Sequence, residues 1–427
     1  MRVATGERGG GRSRAALPVG PGGAALGTIT KFVRRSPVES PVPKSNYRFA
    51  TRVERYELQA VARSLLPKER ITICMVRPSP AGPHLVYSPA RHSAHLAGLM
   101  VCASPWICPV CSARISERRR GEVARAVAYV ERLGRRMVLS TFTLAHAPTD
   151  SLVASLAALN GSYRRMQRRR DYAALRASYG LTHSIKAVEV TWGADSGFHP
   201  HLHVLHAVNA SVDVAALQRD LAAAWLPSLR SQGFAASVAH GVNVKAAWDD
   251  VQRYVSKLGR SWGAPEELTK ANRKKGRAGR LSPPDLLRSV RDTGDQVHAA
   301  RFVEYGLAMK GTHQLRWSPG FKRLVGVEDR SDEDLAENWL DDDRWTYVLA
   351  RLGSADWAAV RYCGPAACAE LEAAGDTGEV DQVAAVVERC RDRYFAEAWG
   401  LATPAECNVS PGVVSPPIAG AASRKCR

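Results

Sequence analysis

The stretch Gly197-Phe-His-Pro-His-Leu-His-Val-Leu205 alternates with a period of two, and this restricts the chain to a fold built around a strand. In an extended strand every second side chain points to the same face. His199, His201 and His203 therefore project together from one side, and Leu202 and Val204 enter a core on the other. Upstream, Ser184-Ile-Lys-Ala-Val-Glu-Val-Thr-Trp192 reads as a second strand, with Gly193-Ala-Asp-Ser-Gly197 as the turn between them. A hairpin centred on Asp195 puts Glu189 opposite His201, on the same face. Two or three imidazoles and one carboxylate make a facial site for Mn²⁺ or Mg²⁺, with positions left open for a substrate oxygen. A coincidentally His-rich surface strand would not account for the facing acid.

Further on, Trp248-Asp-Asp-Val-Gln-Arg-Tyr-Val-Ser-Lys-Leu-Gly259 reads as a short helix that Asp249 can cap and Gly259 can end. Asp250 and Tyr254 share a face, and Lys257 lies one turn beyond the tyrosine. A tyrosine hydroxyl beside a divalent ion can attack a phosphodiester held by that ion. Lys257 could lower the hydroxyl pKa or hold a phosphate. An amphipathic tyrosine is ordinarily a core or interface residue; the His strand is what singles this one out.

Nine cysteines and no export signal point to a reducing, cytoplasmic setting. Cys102, Cys108 and Cys111 have spacing that lets thiolates converge on one tetrahedral Zn²⁺. The fourth ligand is open among Cys74, His92 and His95, and a redox Cys-x-x-Cys is the competing reading. Cys363, Cys368, Cys390, Cys407 and Cys426 show no ligand grouping.

The formal charge of +19 is unevenly spread: residues 331–400 carry 16 acidic and 6 basic side chains, leaving +29 on the rest. A basic body suggests a polyanion, and nucleic acid first among them. Arg164, Arg165, Arg168, Arg169 and Arg170 fall on an expected helix, while Lys270, Arg273, Lys274, Lys275 and Arg277 have loop composition. Either cluster could track a phosphate backbone. Trp192 and Trp262 could stack on unpaired bases or simply pack. No apolar run has the length needed to cross a membrane.

The expected order is a helix over 115–133, a strand over 137–144, a helix across 150–178, the hairpin 184–208, a helix over 212–231, a strand near 237–246 and the helix 249–259. This is an α+β pattern, an antiparallel sheet with flanking helices. Residues 1–45 and 402–427 have the composition of disordered tails. Between them we expect a Cys-rich zinc region (46–115), the central core (116–262), a basic accessory region (263–330) and an acidic helical region (331–401).

Phe198-His-Pro-His-Leu-His-Val-Leu205 resembles the metal motif of HUH endonucleases. Tyr254-Val-Ser-Lys257 resembles the nucleophile motif of single-tyrosine rolling-circle replication initiators from plasmids of actinobacteria and other Gram-positive hosts. Cys102 to Cys111 with Ala113-Arg-Ile115, and Gln314 to Lys322 after Glu304-Tyr305, are similar to that group's flanking segments. The resemblance implies an HUH core, His201 and His203 as ligands and Tyr254 as nucleophile, with His199 and Glu189 as further candidates. It favours Cys74 as the fourth zinc ligand. An acid one turn before the tyrosine would activate water to end the reaction. Asp250 stands where Glu is usual, so Asp249 competes with it. The implied partners are plasmid-origin DNA in nicked and single-stranded forms and the host's helicase and replication proteins, with a homodimer left open. A conjugative relaxase or single-strand transposase would share the core, although relaxases place the tyrosine before the histidines. A non-enzymatic zinc-containing DNA-binding regulator would leave the His strand and Tyr254 idle.

Overall fold

The computed structural model describes residues 44–245, 280–337 and 345–398. The sequence expectations for Asp249, Asp250, Tyr254, Lys257, Trp262, Lys270, Arg273, Lys274, Lys275 and Arg277 lie outside the described residues.

The hairpin forms as its alternation requires. Strand β4 (Ser184–Gly193) pairs antiparallel with β5 (Gly197–Asn209), and Glu189 stands opposite His201. Gly197 turns the chain at φ +69°, and a Cβ there would lie 2.7 Å from the Pro148 carbonyl oxygen, so only glycine fits. On its other side β5 pairs with β3 (Arg135–Phe142), which pairs with β6 (Val242–Lys245); β7 (Leu315–Trp317) closes the far edge against β4. The result is an antiparallel sheet in the order β6-β3-β5-β4-β7.

Its two faces are used differently. Val138 and Phe142 of β3 and Leu202, Val204 and Val208 of β5 are buried with side chains of α3 (Leu152–Gln167) and α5 (Val214–Arg230). Phe142 meets Tyr163 and Trp225 edge-on, with centroids 5.5 and 5.2 Å apart. Truncating a ring of this kind typically costs about 3–5 kcal/mol. On the opposite face Met137, Leu139, Ile185, Ala187, Leu205 and Ala207 pack on Val123, Ala126, Val127 and Val130 of α2 (Pro109–Arg132). That helix covers only one end of the face. At the other end, where the histidines project, Glu189 is exposed among the described residues while His201 and His203 are half-buried.

Several elements differ from expectation. The helix expected across 150–178 breaks into α3 and α4 (Arg170–Tyr179), because Arg169 is extended (φ −78°, ψ 148°) and caps the second piece. The break lets Met166 of α3 and Tyr172 and Leu175 of α4 all reach the core. The basic cluster thus straddles two helices, with Arg164, Arg165, Arg168 and Arg170 exposed and Arg169 paired with Asp171. The strand near 237–246 is confined to β6, because Ser237 to Gly241 forms a hydrogen-bonded turn.

The acidic region is not purely helical. It contributes β8 (Tyr347–Arg351), which pairs with β1 (His84–Ser88); β1 in turn pairs with β2 (Ser93–Ala97). Its helices α10 (Ser354–Tyr362), α11 (Pro365–Gly375) and α12 (Val380–Ala398) follow, after α6 (Pro283–Thr293), α7 (Gln296–Ala308), α8 (Phe321–Val325) and α9 (Asp332–Glu337). Two of its acids are internal partners rather than a solvated face. Arg52 of α1 (Lys44–Leu65) pairs with Asp376 at 2.8 Å and Glu372 at 3.4 Å, and Tyr56 donates to Glu372 at 2.9 Å.

Candidate metal centres

Three side chains converge at the histidine end of this face. His203 Nε2 and His201 Nε2 lie 2.6 and 3.2 Å from the same oxygen of Glu189, and the ligand atoms of all three fall within 4.8 Å of one another. Octahedral Mg²⁺ with bonds of about 2.1 Å has ligand–ligand edges of about 3 Å, which these separations bracket. The Nδ1 of His203 meets Thr141 Oγ1 at 3.1 Å, a contact that orients the ring from behind. Burial works to raise the Glu189 carboxyl, but hydrogen bonds from His201 and His203 hold it well below the usual carboxylate range. A carboxylate that stays charged between two imidazoles is a donor set suited to a divalent cation.

His199 takes a different partner. Its Nδ1 lies 2.6 Å from Nε2 of His146, in the loop after β3. Burial and the charge of Arg280 lower His199 to about 3. It therefore stands beside the cluster as a neutral ring. Nothing in Leu144-Ala-His-Ala-Pro148 signals this role for His146, because it depends on the hairpin turn closing against Pro148. Thr141 was equally silent in the sequence.

The second cluster is buried. Cys74, Cys102, Cys108 and Cys111 bring their sulfurs within 4.8 Å of one another. The Cys74–Cys111, Cys74–Cys108 and Cys102–Cys111 contacts are 3.5, 3.7 and 3.7 Å. These are too long for disulfides. A tetrahedron of Zn–S bonds about 2.3 Å long has edges of about 3.8 Å, so four thiolates fit a zinc here. Cys74, not His92 or His95, completes the group. Burial works to raise the Cys108 thiol, yet hydrogen bonds from Cys102, Cys111 and Cys74 hold it well below its ordinary value. Gln59 also donates to the sulfurs of Cys74 and Cys108 at 3.3 and 3.2 Å.

Trp192 is buried at the hairpin end, edge-on to His298 with centroids 5.2 Å apart, which leaves it a packing residue. Its backbone exchanges two hydrogen bonds with Leu281, at 2.8 and 2.6 Å. No helix among the described residues is long and apolar enough to cross a membrane.

Comparison with known protein families matches residues 93–217, from β2 into α5, to the replication-protein family. Residues 93–217 thus resemble a replication-protein domain. This segment contains Glu189, the three alternating histidines and three of the four clustered cysteines. A protein rep of Streptomyces lividans is 26% identical over 322 residues, covering 60% of this chain and 71% of that protein. A neomycin resistance protein of Streptomyces cyanogenus is 28% identical over 163 residues, which cover 33% of this chain and 37% of that relative. No solved structure matches the chain.

Proposed function

We propose that this replication protein initiates and ends rolling-circle replication of a plasmid, by nicking and rejoining one DNA strand at the double-stranded origin. The observation that carries the proposal is the Glu189–His201–His203 cluster within the segment that resembles a replication-protein domain. In this reading the five-stranded sheet and its helices are an HUH endonuclease core. Glu189, His201 and His203 would hold Mn²⁺ or Mg²⁺, which when bound would polarise the scissile phosphodiester and offset charge in the in-line transition state.

Tyr254 is the nucleophile. Its hydroxyl oxygen attacks phosphorus and gives up its proton to water, while the bond to the 3′-oxygen breaks and that oxygen takes up a proton from water. The products are a 5′-phosphotyrosyl bond and a free 3′-hydroxyl from which synthesis can start. The connectivity supports this role. β6 ends at Lys245, two strand positions from β5 and level with Leu205. His201 is then about 17 Å away by strand spacings, and nine residues of chain can span about 30 Å. The chain rejoins the sheet at Leu281, against Trp192 on the other side of β5. Lys257 would hold a phosphate near the tyrosine. At termination Asp250, with Asp249 as its competitor, would accept a proton from the attacking water. The buried cysteines would hold a structural Zn²⁺. The exposed arginines of α3 and α4 and the cluster from Lys270 to Arg277 would follow the DNA backbone.

The test is incubation with the supercoiled parent plasmid and Mn²⁺, followed by a denaturing search for protein covalently joined to DNA. The adduct is expected from the unaltered chain and not from Tyr254→Phe. An adduct formed by the Phe variant would overturn the assignment.

A further inference from the structure

Lys186 stands on β4, on the face opposite Glu189. Its ammonium lies beneath α3, donating to Asn160 Oδ1 at 2.7 Å and sitting 5.3 Å from the centre of the Tyr163 ring. Its cross-strand neighbour on the edge strand β7 is Arg316, and Arg164 approaches from α3. Among the described residues, none of these three cations pairs with a carboxylate. Arginines elsewhere do: Arg52 with Glu372 and Asp376, Arg119 with Asp332, Arg288 with Glu54.

A half-buried ammonium between two guanidiniums is electrostatically unfavourable. Burial, then Arg316 and Arg164, lower Lys186 to about 8. An apolar side chain at this position would avoid that penalty. An anion placed among the three groups would add an attraction to each of them and offset their mutual repulsion.

We propose that Lys186, Arg316 and Arg164 bind one backbone phosphate of duplex DNA at the β7 edge of the sheet. The phosphate chemistry follows from the cluster, and the identity of the polymer rests on the initiator reading above. The exposed Arg316 fork can take two oxygens of a phosphate, while the lysine acts as a point charge behind them. Arg164 also begins the exposed ridge of Arg165 and Arg168, which offers the same backbone a continuing track. Because Lys186 and Glu189 face opposite ways, this site grips duplex flanking the nick and does not touch the scissile phosphate.

The test uses the full chain and a fluorescein-labelled duplex of arbitrary sequence, with anisotropy titrations over a range of salt concentrations. Lys186→Met and Arg316→Gln are compared with the unaltered protein after thermal melting has shown both variants folded. Arg316 is exposed, so its replacement leaves the core intact. Each variant should lower the slope of log K against log salt by about 0.9, the value for one phosphate. The double variant should fall little further, because both groups serve the same phosphate. Inorganic phosphate that raises the melting temperature of the unaltered protein but not of Lys186→Met, with equal DNA slopes throughout, would mark a free-phosphate site and overturn the proposal. Folded variants matching the unaltered protein in slope and affinity would overturn it too, leaving the initiator reading standing. If the unaltered chain binds no duplex, both readings fall.

Discussion

Replacing Lys186 with methionine should make the DNA-free protein more stable. The drop from 10.5 to about 8 at Lys186 corresponds to about 3 kcal/mol of destabilisation while the group is charged. Methionine keeps the aliphatic stem and removes the charge, but it forfeits the hydrogen bond to Asn160, worth about 1 kcal/mol. The net expectation at pH 7 is a gain of about 2 kcal/mol. Below pH 8 the lysine is protonated in both folded and unfolded chains, so the penalty is full and constant. Between about 8 and 10.5 the unfolded chain binds more protons than the folded one, and the stability of the unaltered protein rises with pH. The advantage of the variant should therefore shrink across that window. Urea unfolding of both proteins at stepped pH measures this directly, as midpoints at equal slope. A methionine variant less stable at pH 7, or an advantage that stays constant to pH 10, would refute the electrostatic reasoning.

His201→Ala and His203→Ala should each abolish metal-dependent nicking and weaken Mn²⁺ binding in calorimetric titration, whereas His199→Ala should do less, since its ring is engaged with His146; equal losses at all three would make His199 a ligand. The purified chain should carry one tightly held zinc by elemental analysis, lost together with N-terminal folding in Cys108→Ser and Cys111→Ser, and zinc retained in the double variant would refute the site. Arg52→Leu should cost about 3–5 kcal/mol in urea unfolding, because it strands Glu372 without its buried partner; a loss under about 1 kcal/mol would show the pair dispensable.

The hairpin was legible because its alternation is strict and its turn is marked at both ends by glycine. Its register follows from those two facts, and the register brings Glu189 to His201. The cysteine spacing was legible for three ligands but not for the fourth, since Cys74 reaches the others only through the packing of α1 and the loop after it. The break between α3 and α4 left no mark in the sequence, because both halves favour helix and only the core requires the bend. β8 was hidden for a related reason. A five-residue strand in an acidic stretch carries little signal when its partners on β1 lie 260 or more residues away. In the sequence Lys186 reads as a strand residue and nothing more; its isolation from carboxylates among the described residues exists only in three dimensions.

The pairing of β1 with β8 also bears on how the protein is made. A chain released from the ribosome before residue 351 would contain the whole His–Glu hairpin. It would nevertheless leave β1 with a raw edge and Arg52 without either of its carboxylates. Such a fragment should fold poorly and be readily proteolysed. Retention of the His–Glu hairpin in a folded chain should therefore depend on translation through the acidic region, which supplies β8, Glu372 and Asp376.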